Sequence, residues 1–368
     1  MAISNQSDER LRNVQAQMVA NGVDLVAIGP TANMRYLLGF TPLALKRLCV
    51  LMIRTNSTRL IAGKLSADEL EAHTGMEVIP WADEDGPYST VVNELKTLGV
   101  PLDSVLAVDD GMRADAFLLL LETINPKKQM AAGPLLDTLR ICKSETEIEA
   151  LSRAAAQADR ALKVGADACR PGVTEREVAN KIATYFLQDG AEAVDFTIIA
   201  SGPNGAFPHH HPGDRRLQNG DTVIIDVGAT LNGYKSDVSR TVHLGKPTAE
   251  VQAIYQAVVE ATQSALQAVT AGVPAHTIDD AARGSLEQVG YASYFVCRTG
   301  HGLGLETHEP PWITAVSDTI LRPGMVFSIE PGVYMQGKLG MRVEDIVVVT
   351  EDGHRRLTGL DYELIIND

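Results

Sequence analysis

Three apolar, β-branched runs each carry a carboxylate where a side chain is expected to find little water: TVIIDVGA with Asp226, FSIEPG with Glu330 and MRVEDIVVV with Glu344. An isolated buried carboxylate is costly, so each needs a cation, a partner or a proton, unless it stands at a wet strand end or against an arginine. Three such strands in one region favour a shared answer. If that answer is a divalent metal, Asp226, Asp237, Glu330 and Glu344 supply oxygens that can bridge two ions. His301 is then the natural nitrogen ligand. It stands second in the segment GHGLGLETHE, residues 300–309, whose GxGxG spacing also fits a phosphate-cradling loop. No strand–loop–helix context flanks it, however, and glycines equally let a loop backbone approach a metal.

The elements that must hold these residues fall into two regions. The first 130 or so residues alternate β-rich runs (DLVAIG, RLCVLMIRT, RLIAG, MEVIPW, SVLAVDD) with helical stretches such as DERLRNVQAQMVANG and GPYSTVVNELKTLG, which reads as an α/β domain. A boundary is expected near residue 140, giving domains 1–139 and 140–368. Beyond it TEIEALSRAAAQADRALKVGADAC keeps helical periodicity until Arg170-Pro171-Gly172, and Thr174 with Glu177 forms a capping-box pair that opens a second helix. This plan then recurs about 100 residues later. Gly172 matches Gly272, Val178 matches Ile278 and Gly190 matches Gly290, while Ile225-Asp226-Val227-Gly228 resembles Ile329-Glu330-Pro331-Gly332. Two similar halves, each with two carboxylates (Asp226 and Asp237, Glu330 and Glu344), predict an α+β domain of pseudo-twofold symmetry with its site at the seam.

Composition narrows the function classes. With 45% hydrophobic and 21% charged residues the 368-residue chain is expected to be globular and soluble. A formal charge of −15 disfavours nucleic acid and anionic membranes as partners. No apolar stretch reaches the ~20 residues of a membrane span, and the polar start MAISNQSDERL lacks a secretory core, so a cytoplasmic location is expected. Cys49, Cys142, Cys169 and Cys297 show no CxxC spacing, which fits reduced thiols better than a disulfide framework.

Taken in order, DVG, SDVSRT, GHGLGLETHE, SIEPGVY and RVED resemble the "pita-bread" metallopeptidase family that contains prolidase, aminopeptidase P and methionine aminopeptidase. The resemblance covers the region from about residue 140 to 368. It implies Asp226, Asp237, His301, Glu330 and Glu344 as ligands of two divalent ions, with Glu330 also moving the proton. Mn²⁺ suits so oxygen-rich a set, with Co²⁺ or Zn²⁺ as other occupants. In FPHHHPGDRR the family's substrate histidine after a proline selects His209, and His308 matches a second histidine near the scissile bond. Tyr334 and Arg342 match positions that orient substrate or ligand carboxylates; Arg342 and Glu344, two apart on one expected strand, should share a face. Cys297 stands where many relatives carry histidine, and a thiol there reads as a small buried filler.

The segment NMRYLLGF, residues 33–40, resembles the creatinase-type N-terminal domain of prolidases and aminopeptidases P. The implied activity is hydrolysis of the Xaa-Pro bond of dipeptides by a homodimer. Aminopeptidase P activity on longer Xaa-Pro peptides and a non-catalytic binding module are the alternatives. A dipeptidase must recognise the free carboxylate beside the scissile bond. Arg47, on a domain that overhangs the cleft in similar enzymes, is the expected contact.

Overall fold

The structure, a computed structural model, describes residues 5–368 and divides into two units, one ending at Arg140 and one beginning at Ile141. In the first unit a six-stranded sheet runs in the order Val78–Trp81, Thr58–Gly63, Cys49–Ile53, Leu25–Ile28, Val105–Val108, Lys128–Ala131. Leu25–Ile28 is buried at every position, as a strand covered on both faces must be. It pairs antiparallel with Cys49–Ile53 and parallel with Val105–Val108. The outer strand Lys128–Ala131 (KQMA) escapes the sequence pattern because it is polar and mostly exposed, and an edge lysine discourages pairing with another chain.

The segment NMRYLLGF folds as a helix, Ala32–Leu38, whose N-terminus is capped by Thr31 and whose end is set by Gly39 at φ 75. Its polar residues serve the unit's interior. Asn33 donates to Asp109 at 3.2 Å and accepts from Arg140 at 2.6 Å, while the Tyr36 hydroxyl donates to the Leu139 carbonyl at 3.1 Å. These bonds fasten the last helix of the unit, Gly133–Arg140.

In the second unit the internal repeat becomes architecture. The helix pair Glu145–Ala168 and Glu175–Gln188 is echoed by Ala249–Ala268 and His276–Gln288. Thr174 and Glu177 form the expected capping box. The matched glycines share left-handed backbones, with φ 91 and 89 at Gly172 and Gly272 and φ 89 and 79 at Gly190 and Gly290. Each helix pair packs on its own antiparallel strands. The first set comprises Ala193–Ser201, Thr222–Leu231 and Val238–Leu244. In the second, Glu309–Ile313, Gly300–Gly302, Val326–Ile329, Asp345–Thr350 and Gly353–Arg356 lie side by side.

Arg240 joins the two halves. It is 1% exposed, and its guanidinium donates to the carbonyls of Ser239, Glu344, Leu360 and Asp361 and to the Asp345 carboxylate. Its donor capacity is thus filled. Burial would raise the Asp345 carboxyl, but Arg240 and Arg356 beside it hold it below its ordinary value. Removing one member of so buried a pair would leave the other charge uncompensated, at a cost of about 3–5 kcal/mol.

Candidate metal centre and active-site cleft

The acidic positions follow from strand alternation. Along Thr222–Leu231, Val223, Ile225, Val227 and Ala229 pack into the core under the first helix pair, which turns Ile224 and Asp226 to the other face. In the second half Ile329 ends a strand in the core under the second helix pair, and Glu330 follows it. Asp226 lies opposite Ser239 in the antiparallel register, and Ser239 bridges to Glu344 across the seam. Asp237 directly precedes the strand Val238–Leu244. His301 sits between two tightly packed glycines: a Cβ on Gly300 would lie 1.8 Å from the Ser328 carbonyl, and one on Gly302 would lie 2.3 Å from the Glu309 carbonyl. The glycines of GHGLG therefore serve close backbone packing around the histidine.

Asp226, Asp237, His301, Glu330 and Glu344 line one cavity of ≈ 270 Å³ together with His209, His308, Arg342, Cys297 and Arg298. Ligand atoms of Asp237, His301 and Glu344 lie within 4.8 Å of one another. His301 Nε2 is 3.6 Å from Asp237 and 3.2 Å from Glu330. Its Nδ1 is 3.1 Å from the Gly302 carbonyl, which only accepts, so Nδ1 donates there and Nε2 is the nitrogen aimed at the acids. Asp226 Oδ1 and Glu344 Oε1 are buried without a hydrogen-bond partner. Burial first, and then repulsion among the acids, hold the Asp237 and Glu344 carboxyls well above their ordinary range. At Asp226 burial outweighs Arg342 and raises the carboxyl too. At Glu330 burial acts the same way, but contact with His301 prevails and lowers it. Orphaned oxygens, a directed imidazole and mutually repelling acids fit divalent cations as the missing partner.

Arg342 and Glu344 do not share a strand. Leu339–Arg342 belongs to a two-stranded sheet and Asp345–Thr350 to the five-stranded one, with the chain changing sheets between them. Both side chains nevertheless reach one hydroxyl: Arg342 Nε donates to Ser239 Oγ at 2.9 Å, and Ser239 Oγ donates to Glu344 at 2.7 Å. Arg342 also binds Asp226 and, at 2.9 Å, the hydroxyl of Tyr334. Tyr334 is thus buried behind Arg342. Cys297 is half-buried, lies on the cavity wall and packs against the hydrophobic clusters beside it. Burial raises its thiol.

Of the three consecutive histidines, His209 lines the cavity and His210 turns away to Glu175 at 2.8 Å. The His308 ring stands 4.1 Å from that of His301, tilted by 57°. Burial, followed by the charges of His301 and Arg298, pushes His308 down to about 4.

Glu175, which the sequence pattern presents only as a helix-start acid, holds the segment that carries His209. Its fully buried carboxylate accepts from the Ser201 amide and hydroxyl, Asn204, His210 and the Gly213 amide. Burial alone would raise this carboxyl, but the bonds from Ser201, Asn204 and His210 hold it below its ordinary value. From the other side Arg342 reaches the Pro208 carbonyl at 3.4 Å. Glu175→Ala leaves these donors without an acceptor and should cost at least about 3 kcal/mol, read by urea denaturation. Faster tryptic cleavage at Arg215 or Arg216 should accompany it. An unchanged midpoint and cleavage rate would show that the segment is held elsewhere.

Arg47 stands exposed in the first unit, and Asp83 holds its guanidinium through Nε at 2.8 Å and Nη2 at 2.6 Å. The fork it would offer a substrate is engaged within its own unit.

A buried carboxylate–imidazole cluster, with two further histidines on the same cavity wall, defines a metal-dependent hydrolase. Residues 149–351 match metallopeptidase family M24 and residues 10–142 match the creatinase/prolidase N-terminal domain. The chain belongs to the M24 metallopeptidase family. It is 39% identical to the "Probable dipeptidase PepE" of Mycobacterium tuberculosis, over 97% of this chain and 96% of that one. With the "Xaa-Pro dipeptidase" of Pyrococcus furiosus it shares 34% identity over 97% of this chain and 99% of the relative. A crystal structure of recombinant prolidase from Thermococcus sibiricus superimposes with a TM-score of 0.94 at 39% identity, covering 99% of this chain and 100% of that one.

Proposed function

We propose that this metallopeptidase hydrolyses the Xaa-Pro bond of dipeptides. The observation that carries the reading is the buried set of Asp226, Asp237, His301, Glu330 and Glu344, open on one side to a cavity that His209 and His308 also line. At ≈ 270 Å³ the cavity lies just below the ~300–1,000 Å³ usual for small-molecule sites, which suits a short peptide.

The five side chains act as ligands of two divalent ions. Four carboxylates, each able to bridge, and one imidazole supply enough ligand atoms for two ions. Oxygen-dominated ligation favours Mn²⁺. When bound, such ions supply a Lewis acid for the scissile carbonyl and lower the pKa of a water towards about 7. Glu330, which contacts His301, accepts the proton of the attacking water and returns it to the proline nitrogen. His209 and His308 donate to the oxygen that gains charge. Arg342 fixes Asp226 and Ser239, and Tyr334 fixes Arg342. The protein is read as a cytoplasmic homodimer, with mass from sedimentation equilibrium as the check on assembly. No helix among the described residues is long and apolar enough to cross a membrane.

Hydrolysis of Ala-Pro and Ala-Pro-Ala, each with and without Mn²⁺, tests the reading. Metal-dependent turnover with higher kcat/KM for the dipeptide is expected. Preference for the tripeptide would make the protein an aminopeptidase P, and no turnover of either would make it a binding module.

A further inference from the structure

A dipeptide carries its carboxylate on the leaving proline, one residue from the scissile bond. A cavity that selects dipeptides therefore needs a cation not already spent, and two arginines line this one. Arg342 is spent: it is 2% exposed and bonded to Ser239, Tyr334, Pro208 and Asp226. Arg298 is different. It is half-buried, has no carboxylate partner among the described residues, and rests its guanidinium 4.9 Å from the centre of the Trp312 ring. It lines the cavity together with His301 and His308.

The backbone around the pair is fixed. His301 and Trp312 are register partners in the antiparallel pair of Gly300–Gly302 with Glu309–Ile313. Thr299, directly after Arg298, donates its amide to Ile313 at 3.1 Å and its hydroxyl to Asp279 at 2.7 Å. Arg283 donates to the carbonyls of Phe295 and Cys297 from the other side. A cation held over an aromatic ring is not neutralised by it, so the guanidinium keeps N–H groups to offer a carboxylate.

Resting on the dipeptidase reading, we propose that Arg298, held on Trp312, receives the terminal carboxylate of the substrate's proline and so determines the preference for dipeptides. The contact is a charge-assisted fork that a C-terminal amide or a longer chain cannot reproduce. Trp312 is a positioning residue in this arrangement, acting through Arg298.

The test compares Ala-Pro with Ala-Pro amide, which differ only in the charge that Arg298 would meet. The wild-type enzyme should show a KM roughly tenfold or more lower for the acid, the scale of one charge-assisted bond. In Arg298→Gln the ratio of the two KM values should collapse towards one, mainly through a rise for the acid, with kcat for the acid reduced far less than KM is raised. Arg298→Lys should restore part of the ratio, Trp312→Phe should keep most of it, and Trp312→Ala should lower it. Competitive inhibition by proline against prolinamide supplies a second readout of the same ratio.

A ratio that survives Arg298→Gln overturns the proposal, as does one that collapses in Arg47→Ala instead. A wild-type enzyme that cleaves neither dipeptide nor amide, or prefers Ala-Pro-Ala, fails at the earlier step. That result overturns the dipeptidase reading, whereas cleavage of Ala-Pro with an insensitive Arg298 variant overturns only the assignment of the carboxylate.

Discussion

His301→Ala should lose bound metal and activity together, with turnover of Ala-Pro falling to background. His301 is the sole nitrogen donor among the five clustered side chains, and its orientation is set by the bond from Nδ1 to the Gly302 carbonyl. Removing the ring takes away one ligand and leaves Asp226, Asp237, Glu330 and Glu344 facing one another at the seam, with Arg342 as the neighbouring cation. Metal analysis after gel filtration checks the first half of the expectation, and thermal unfolding gives an independent reading. An ion at one hundred times its dissociation constant stabilises the folded state by about 2.7 kcal/mol. Mn²⁺ should therefore raise the melting temperature of the wild-type protein and leave that of His301→Ala nearly unmoved. A variant that retains two tightly bound ions with normal turnover would remove His301 from the metal centre.

The cluster is legible in sequence because an acid inside a β-branched run is conspicuous, and because the repeat places two such runs at matched positions in two halves. The matched glycines are legible for a related reason: a left-handed turn after a long helix tolerates few other residues, so the same residue recurs at Gly172 and Gly272. Residues that hold others in place leave no such trace. Glu175 lies in TEREV, where an acid in the first helical turn already has a complete explanation in capping and the helix dipole. Its real partners lie 26 to 38 residues further along the chain. Ser239 is one small polar residue in SDVSRT, and only the cross-seam bridge to Glu344 makes it the meeting point of Arg342 and a candidate ligand. The RVED motif suggests a single strand because alternation is a local rule, whereas the change of sheet after Arg342 depends on what each segment pairs with. Lys128–Ala131 is missed for the converse reason. An exposed edge strand needs backbone partners on one side and no apolar face to advertise it.

His209→Ala and His308→Ala should separate catalysis from metal binding. Both residues line the cavity, but among the described residues it is His301, 3.6 Å from Asp237 and 3.2 Å from Glu330, and neither of these two, that makes ion-pair contacts with the clustered acids. Each variant should keep its metal while kcat falls by roughly 10²–10³-fold, the scale for removing one donor to a developing oxyanion, with a smaller change in KM. The two histidines are held by unrelated parts of the chain. His209 sits beside His210, which Glu175 holds, and His308 precedes the strand Glu309–Ile313 that pairs with the His301 strand. Loss of one therefore leaves the mooring of the other intact, and the double variant becomes informative. If both donate to the one oxygen that gains charge, the second deletion costs less than it does alone, because the transition state has already lost part of the stabilisation the pair supplies together. The combined loss in kcat should then fall short of the product of the single losses. Losses that multiply would place the two donors on different atoms of the substrate, and loss of metal in either single variant would move that histidine into the metal centre.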